Sequence, residues 1–544
     1  MSHDLTLPAG TVLGPNGMPV INASSYAGQD RLGPELECWM PNIEPPDEAT
    51  LHDWEVSVGR LRQLIDENGI TSGLVQSRLD HVIGPDLKLV AKPDYRALGL
   101  TADWAEEFAE QAQREFRNWG YDPGLRCHAG RTLDFPGMLR QGLRSKMSTG
   151  EIWATAEWIE RAGWPYRTAI QPFDSELVST PAGKADDERL RHGVVKDRYG
   201  APVGAFIRQA HPGDHVSTVG SYRWRFVRNE TPWGRTQLIH IFDQKRAGQS
   251  RGKSALIPAI KQIKMLEKWQ SATMSAAIIN SMYAAVIKSS VSHPELMQAL
   301  GVGGQNPLSA YMAQSLKFHK GTNRIQYDGS KIAHLFPNED LELLSAKQPV
   351  AAFEQFERAA LRMIAAAGDT SYEQLSKDYT NTTYSSARAS MLEAYKFIVS
   401  ERQNTVIRLA NIIYALMLED AIYSGRIELP RNAPAFNEPG AKRAYCAARW
   451  IGPGRDQIDP VKDAQATKME LAMGLTSHEE EAARRGRDPD ELIQAQASHF
   501  RKLIDAGVPE ETARRVVWGA DNVEYVDTDA EAMDTAERNE RDAA

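Results

Sequence analysis

Ser254 to Ala285 reads SALIPAIKQIKMLEKWQSATMSAAIINSMYAA, and the organisation of the whole chain turns on it. Ser254 is a suitable N-cap, Pro258 falls in the first turn where a missing N–H is tolerated, and no Gly or Pro interrupts the rest. Leu256, Ile260, Ile263 and Trp269 recur at helical spacing before the composition shifts to Ala, Ser and Met, so one long helix is expected. At about 1.5 Å per residue it would reach roughly 40 Å, longer than an average globular helix. Lys261, Lys264 and Lys268 are three and four residues apart and share one face. In a monomer that face is simply solvated; in a ring of copies each lysine becomes a circle of positive charge.

The 544 residues are 42% apolar and 25% charged, which supports large cores and several structural units. A net charge of −9 argues against a sequence-independent nucleic-acid coat, because such coats bind through Lys and Arg. Cys38, Cys127 and Cys446 form no CxxC pair and fit a reducing compartment without a disulfide framework. Nowhere is there a basic segment leading into an apolar run, nor eighteen consecutive apolar residues, so a soluble protein without a membrane span is expected.

Residues 1–48, with scattered Gly, Pro and Asn, read as an extended arm. Helices are expected where Leu51, Trp54, Val58, Leu61 and Ile65 keep 3/4 spacing, over Ser72 to Val82, after the cap Thr101, and over Leu133 to Met147, with a short strand in DLKLVA. The period then changes to two: Ile152 to Trp158, IQPFD, GVVKDRYGAPVGAFIR with a turn at Asp197 to Gly200, YRWRFV and QLIHIF. This is an α+β unit. Past the long helix come a small strand-containing insertion, a helix from Val350 to Ala367, a polar segment, and a very long helix over Ala387 to Ser424. The stretch SERQNT within it marks a bend. A short strand (IELP), a turn around Trp450 and four C-terminal helices follow. The acidic last residues lack the apolar content to fold.

Catalytic signatures fail. GQSRGKS, Gly248 to Ser254, lies at a strand-to-helix junction but has three residues before GK where a phosphate loop needs four. Gly252 there is expected to let the chain turn sharply, with Lys245, Arg246, Arg251 and Lys253 forming a basic corner. HPGDH (His211, His215) contains Pro212 and Gly213, which preclude the helical turn that would aim both imidazoles at one metal. No GxSxG, HExxH or carboxylate cluster appears. No enzyme activity, cofactor or metal is expected.

Several segments, in this order, resemble those of the portal proteins of tailed bacteriophages, the lambda-type family. They are GVVKDRYGAPVGAFIR, then IHIFDQKRAGQSRGKSALIPAIKQIKMLEKWQSATMSAAIINSMYAA, SYEQLSKDYTNTTYSSARASMLEAYKF, and ARWIGPGRDQIDPVKDAQATKMELAMGL with TSHEEEAARRGRD. They span about Pro45 to Ala506. The resemblance implies an α+β portal fold forming a ring, expected to be a dodecamer, with long stem helices around a central DNA channel. It divides the chain into an arm (1–48), wing (49–253), first stem helix (254–285), clip (286–349), second stem helix (350–367), tunnel loop (368–386), long wing helix (387–425), crown and C-terminal helices (426–522) and acidic tail (523–544).

The same resemblance implies a place at the capsid portal vertex of the virion, after assembly in the host cytoplasm. The implied partners are double-stranded DNA, held without sequence preference, the terminase large subunit, major capsid and scaffold proteins, and head-completion or adaptor proteins. The clip would be the docking surface and the terminase the ATPase. Lys261, Lys264, Lys268, Arg358, Arg362 and Lys377 are the candidate channel residues, although Glu354 stands four residues before Arg358 and can pair with it. The alternatives are a structural ring of a virion or secretion-like assembly that conducts no DNA, or a nucleotide hydrolase built on Gly248 to Ser254.

Overall fold

The computed structural model describes residues 42–282, 286–289, 317, 324–327, 330–333, 339–342, 350–380, 383–454 and 460–519. Most of the arm, most of the clip and the acidic tail expected from the sequence therefore lie outside the described residues.

The body starts with a short helix, Pro46–Leu51, whose first three residues fall in the span expected to be an extended arm. Trp54–Glu67 and Gly69–Val82 follow as two helices sharing Asn68, whose side chain accepts the N–H groups of Ile70 and Thr71 at 3.1 Å. That capping bond starts the second helix while the extended backbone of Asn68 ends the first. Thr101 caps Ala102–Gly120 in the same way, and Asp134 caps Phe135–Thr149.

Three antiparallel strands come next in the order Thr168–Pro172, Glu151–Trp158, Leu238–Phe242. A second sheet of four runs Leu190–Arg191, Val194–Lys196, Pro202–Arg208, Trp224–Arg228, also antiparallel. The turn at Asp197 to Gly200 joins its middle strands, with Gly200 at φ 84°. Glu151–Trp158 is buried along five consecutive residues. Helices on one side and the second sheet on the other cover both faces, so its period of two predicts a strand but not a wet face.

The main core joins these elements to the long C-terminal helix. Phe116 packs edge-on against Phe135 (4.9 Å between ring centroids), Tyr414 (5.8 Å) and Trp450 (5.7 Å). Trp450 belongs to a strand, Ala448–Ile451, paired antiparallel with Lys88–Ala91, where a turn is expected from the sequence. Residues 427–430 (IELP), expected as a strand, form none, and Ile427 is a core residue in irregular backbone.

The long helix runs Tyr384–Glu401, then a π-helical turn Arg402–Val406, then Ile407–Tyr423. The interruption at SERQNT is thus a change of helical winding. A π turn accommodates one extra residue and redirects side chains. Here it carries Arg402 inward, where its guanidinium donates to the carbonyls of Val82 (2.7 Å), His81 (2.9 Å) and Pro453 (3.1 Å). Two of those acceptors are end-of-helix carbonyls of Gly69–Val82, which have no intrahelical donor, so Arg402 caps that helix. The four C-terminal helices are Pro460–Ala472, His478–Arg484, Pro489–Asp505 and Glu510–Trp518.

Candidate functional site

Ile260–Met282 and Val350–Ala367 form the hairpin that the sequence places at the centre of the molecule. The first begins later than expected. Residues Ile257–Ala259 make a 3-10 turn, which accommodates Pro258, and the Ser254 hydroxyl accepts the N–H of Leu256 (3.1 Å) and donates to Met147 carbonyl (2.5 Å). Ser254 therefore ties the strand-to-helix connection to the end of the Phe135–Thr149 helix and does not cap the hairpin helix.

The two helices run antiparallel. At the base, Ile263, Leu266, Leu361 and Ile364 are buried together with Leu64 of the Trp54–Glu67 helix and Ala259. Farther out, Gln270 donates to Glu357 (2.7 Å) and Trp269 meets Phe356 at 5.1 Å between rings. Burying each aliphatic side chain of the base is worth about 1.5–3 kcal/mol, so the root of the hairpin is fixed. Along the hairpin, Met265, Trp269, Met274, Ile278, Phe356 and Met363 are all between 42% and 67% exposed.

The six candidate channel residues fall on this hairpin and just beyond it. Lys261, Lys264 and Lys268 are exposed along one flank of the first helix. At 100° per residue, Met265 and Trp269 lie on a different flank, so the helix has a buried face, a basic flank and an apolar flank. Lys264 is engaged by Glu267 at 3.2 Å and Arg358 by Glu354 at 2.7 Å, both within one turn of their own helix. Exposed pairs of this kind are weak, but they partly cancel the field of the two cations. Arg362 is exposed, with its guanidinium 5.7 Å from the Tyr372 ring centre.

Lys377 is exposed at φ 60°, ending the short helix Tyr372–Ser376. Together with the start of the long helix at Tyr384, that turn gives structure to both ends of the segment expected to be an open loop over 368–386. Arg78 fastens its start, donating to the carbonyls of Gly368 and Asp369 and lying 4.2 Å over the Phe397 ring.

Sequence reasoning missed the anchor of the hairpin. Arg251, expected to form a basic corner with Lys245, Arg246 and Lys253, is instead 2% exposed. Its five N–H donors are all used: two on Glu151 Oε1 (2.9 and 2.5 Å), and the others on the carbonyls of Ser175 (2.9 Å), Val178 (3.0 Å) and His192 (3.1 Å). Glu151 in turn accepts the backbone N–H of Gly252 (3.0 Å) and the Nε2–H of His240 (3.0 Å), whose ring stacks on Trp153 at 3.7 Å. Burial alone would raise the Glu151 carboxyl, but Arg251 and His240 beside it hold it well below the usual carboxylate range. Burial keeps His240 below the usual imidazole range, hence neutral.

Gly252 has no room for a side chain: a Cβ would collide with the Gly150 carbonyl, just as one on Gly150 would collide with Lys253. Close approach, and not a sharp turn through positive φ, is what requires glycine there. The segment GQSRGKS is therefore the root of the hairpin, plugged into the α+β body by Arg251, with no open cradle for a phosphate. In the sequence Arg251 is indistinguishable from its neighbours Lys245, Arg246 and Lys253 in a Gly/Ser-rich junction.

Comparisons with known proteins bear on the arrangement as a whole. The family described as phage portal protein, lambda family, matches residues 32–402. Portal protein B of Escherichia phage lambda is 29% identical over 92% of this chain and 94% of its own length, and the portal protein of Escherichia phage N15 is 30% identical over the same shares. A probable portal protein of Halomonas phage phiHAP-1 is 23% identical over 87% of this chain and 86% of its own. Among solved structures, a chain from the neck of an empty GTA particle computed with C6 symmetry aligns over 83% of this chain and 96% of its own. It has a TM-score of 0.44 and 15% identity. A chain from the neck of a native GTA particle computed with C12 symmetry aligns over 81% and 95%, with a TM-score of 0.43 and 14% identity. With a family match across most of its length and relatives aligned nearly end to end, this chain belongs to the lambda family of phage portal proteins, which are structural proteins of the virion and not enzymes.

Proposed function

We propose that copies of this chain form the ring at one capsid vertex through which double-stranded DNA enters during packaging and leaves at ejection. The hairpin is the stem of each subunit, residues 286–349 the clip, and residues 368–386 the loop nearest the DNA. One observation carries this reading: the rooted hairpin leaves two flanks of its first helix largely exposed to solvent, one basic and one apolar. A ring uses both, the apolar flank against the next copy and the basic flank toward the bore. Twelve copies turn each cation into a circle of charge.

A bore that passes DNA in both directions has to hold phosphates loosely. A chain of net charge −9 with a few separated cations per subunit meets that need better than a uniformly basic wall. Because Lys264 and Arg358 have carboxylate neighbours, Lys261, Lys268, Arg362 and Lys377 carry most of the field. The clip docks the terminase large subunit, which supplies ATP hydrolysis, and afterwards the head-completion or adaptor proteins. Major capsid and scaffold proteins surround the ring during assembly in the host cytoplasm.

The test is the double variant Lys377→Ala with Arg362→Ala. Rings should form as before, while packaged DNA length or its retention falls. Full-length packaged genomes and undiminished infectivity would remove these residues from the DNA path. Exchanging residues 286–349 for a short linker should abolish capture of the terminase large subunit by assembled rings, and retained capture would place the docking surface elsewhere.

A further inference from the structure

The strand Trp224–Arg228 is the free edge of the four-stranded sheet. Its neighbour Pro202–Arg208 pairs with it from Gly204↔Arg228 to Arg208↔Trp224. The backbone bonds Asn229 N–H to Val203 carbonyl (2.8 Å) and Gln209 N–H to Arg223 carbonyl (3.0 Å) set the phase of that ladder. Hydrogen-bonded and non-bonded pairs alternate in an antiparallel ladder, so Arg225 and Val227 bond inward while the N–H and C=O groups of Trp224, Phe226 and Arg228 point away from the sheet. Among the described residues no strand receives them.

Side chains make this edge unusual. Phe226 is 40% exposed and packs with its ring tilted against Phe206, 5.2 Å between centroids. Together with Leu190, Val195 and Lys184 these rings line a shallow groove across the face of the sheet. Arg225, itself exposed, has one long ion pair, 3.6 Å to the half-buried Glu157. Charged residues on an edge strand can serve merely to repel other strands. Here, though, the pattern Trp-Arg-Phe-Val-Arg combines the charges with an exposed aromatic and outward backbone groups, which is what an added strand recognises.

The chain itself contains the complement. Residues 520–544, beyond the described structure, carry nine acidic and two basic side chains. Within them Val523-Glu524-Tyr525-Val526-Asp527 repeats the edge strand's pattern position by position, with each arginine replaced by an acid. Laid parallel, Val523, Tyr525 and Asp527 face the side of Trp224, Phe226 and Arg228, while Glu524 and Val526 face the side of Arg225 and Val227. Reversing the direction destroys the match. We infer that Val523–Asp527 of a copy of this chain docks as a parallel fifth strand on Trp224–Arg228, so that each acid meets an arginine and each apolar residue an apolar one.

Amide hydrogen exchange on the full chain tests this at Trp224–Arg228. Glu524→Arg with Asp527→Arg, and separately Arg225→Glu with Arg228→Glu, should each speed exchange of that strand about tenfold or more. The four substitutions together should restore protection to within about twofold of the parent, because the charge pattern is inverted but still complementary. Protection that depends on protein concentration assigns the strand to a neighbouring copy, and independence of concentration to the same chain; either outcome supports the docking. Unchanged exchange in the Glu524→Arg, Asp527→Arg protein, or no recovery in the fourfold variant, overturns it.

Discussion

Arg251 at the root of the hairpin and Lys261, Lys264 and Lys268 along its shaft are cations on one continuous stretch of chain, yet their surroundings are opposite. Arg251 is buried with every donor satisfied, in a hub that joins the hairpin root to strands of both sheets. The three lysines face outward, one of them with only a neighbour on its own helix. The root is complete within one chain; the shaft, with exposed Trp269, Met274 and Phe356, is not. The contrast teaches where a single copy stops being sufficient. Stability is built in the body that surrounds Arg251, and the exposed surface is carried on the hairpin that this body anchors.

Breaking the root should have the largest effect. Arg251→Met leaves the Glu151 carboxylate buried and unpaired, and loss of one partner of a buried pair costs about 3–5 kcal/mol. Urea unfolding should show that loss, and Arg251→Met combined with Glu151→Leu should recover much of it. A single variant as stable as the parent would mean that the hub does not hold the root.

Arg402→Met comes next. It strips the donor from the end-of-helix carbonyls of His81 and Val82, at about 1–3 kcal/mol. Hydrogen exchange should rise at Gly69–Val82 first, and a uniform rise over the whole chain would argue against a local cap.

Acid should loosen the root before the shaft. His240 is held below the usual imidazole range, so the unfolded chain takes up that proton first as pH falls through about 6.5, and stability drops. Glu151, held below the usual carboxylate range, contributes stability present above about pH 4.3 and lost below it. Both act in the same direction. His240→Gln should flatten the upper part of the stability–pH curve and leave the lower part; an unaltered curve would count against a neutral His240.

The shaft should give the smallest effect on folding and a large one on assembly. Met265→Ser should change the stability of the unassembled chain by less than about 0.5 kcal/mol, as for other surface positions, whereas Trp269→Ser also gives up the ring contact with Phe356 and costs more. With both substitutions, ring formation, followed by light scattering, should be lost. Rings that assemble normally would show that the apolar flank does not face a neighbouring copy.

Much of the fold was legible because helices announce themselves locally. Thr101 caps the helix whose start it marks in the sequence, Asp134, Ser477 and Asp488 cap theirs in the same local way, and the Gly193 to Arg208 hairpin follows from alternation around a turn. What escaped was non-local. Trp450 was read as part of a turn because its strand partner, Lys88–Ala91, is hundreds of residues away. Arg251 looked like a surface cation because Glu151, which justifies its burial, lies on another strand. The π turn at Arg402 has no Pro or Gly to signal it; distant carbonyls create the demand for it.

Sequence alone therefore determined the alternation of helix and strand, the amphipathic hairpin with its row of lysines, and the family to which the chain belongs, since these reside in spacing and order along the chain. Tertiary structure decided which charges are buried, which glycine is required for lack of space, and which flanks of the hairpin remain uncovered. Those depend on desolvation and contact between residues far apart in the chain, and no local pattern encodes them.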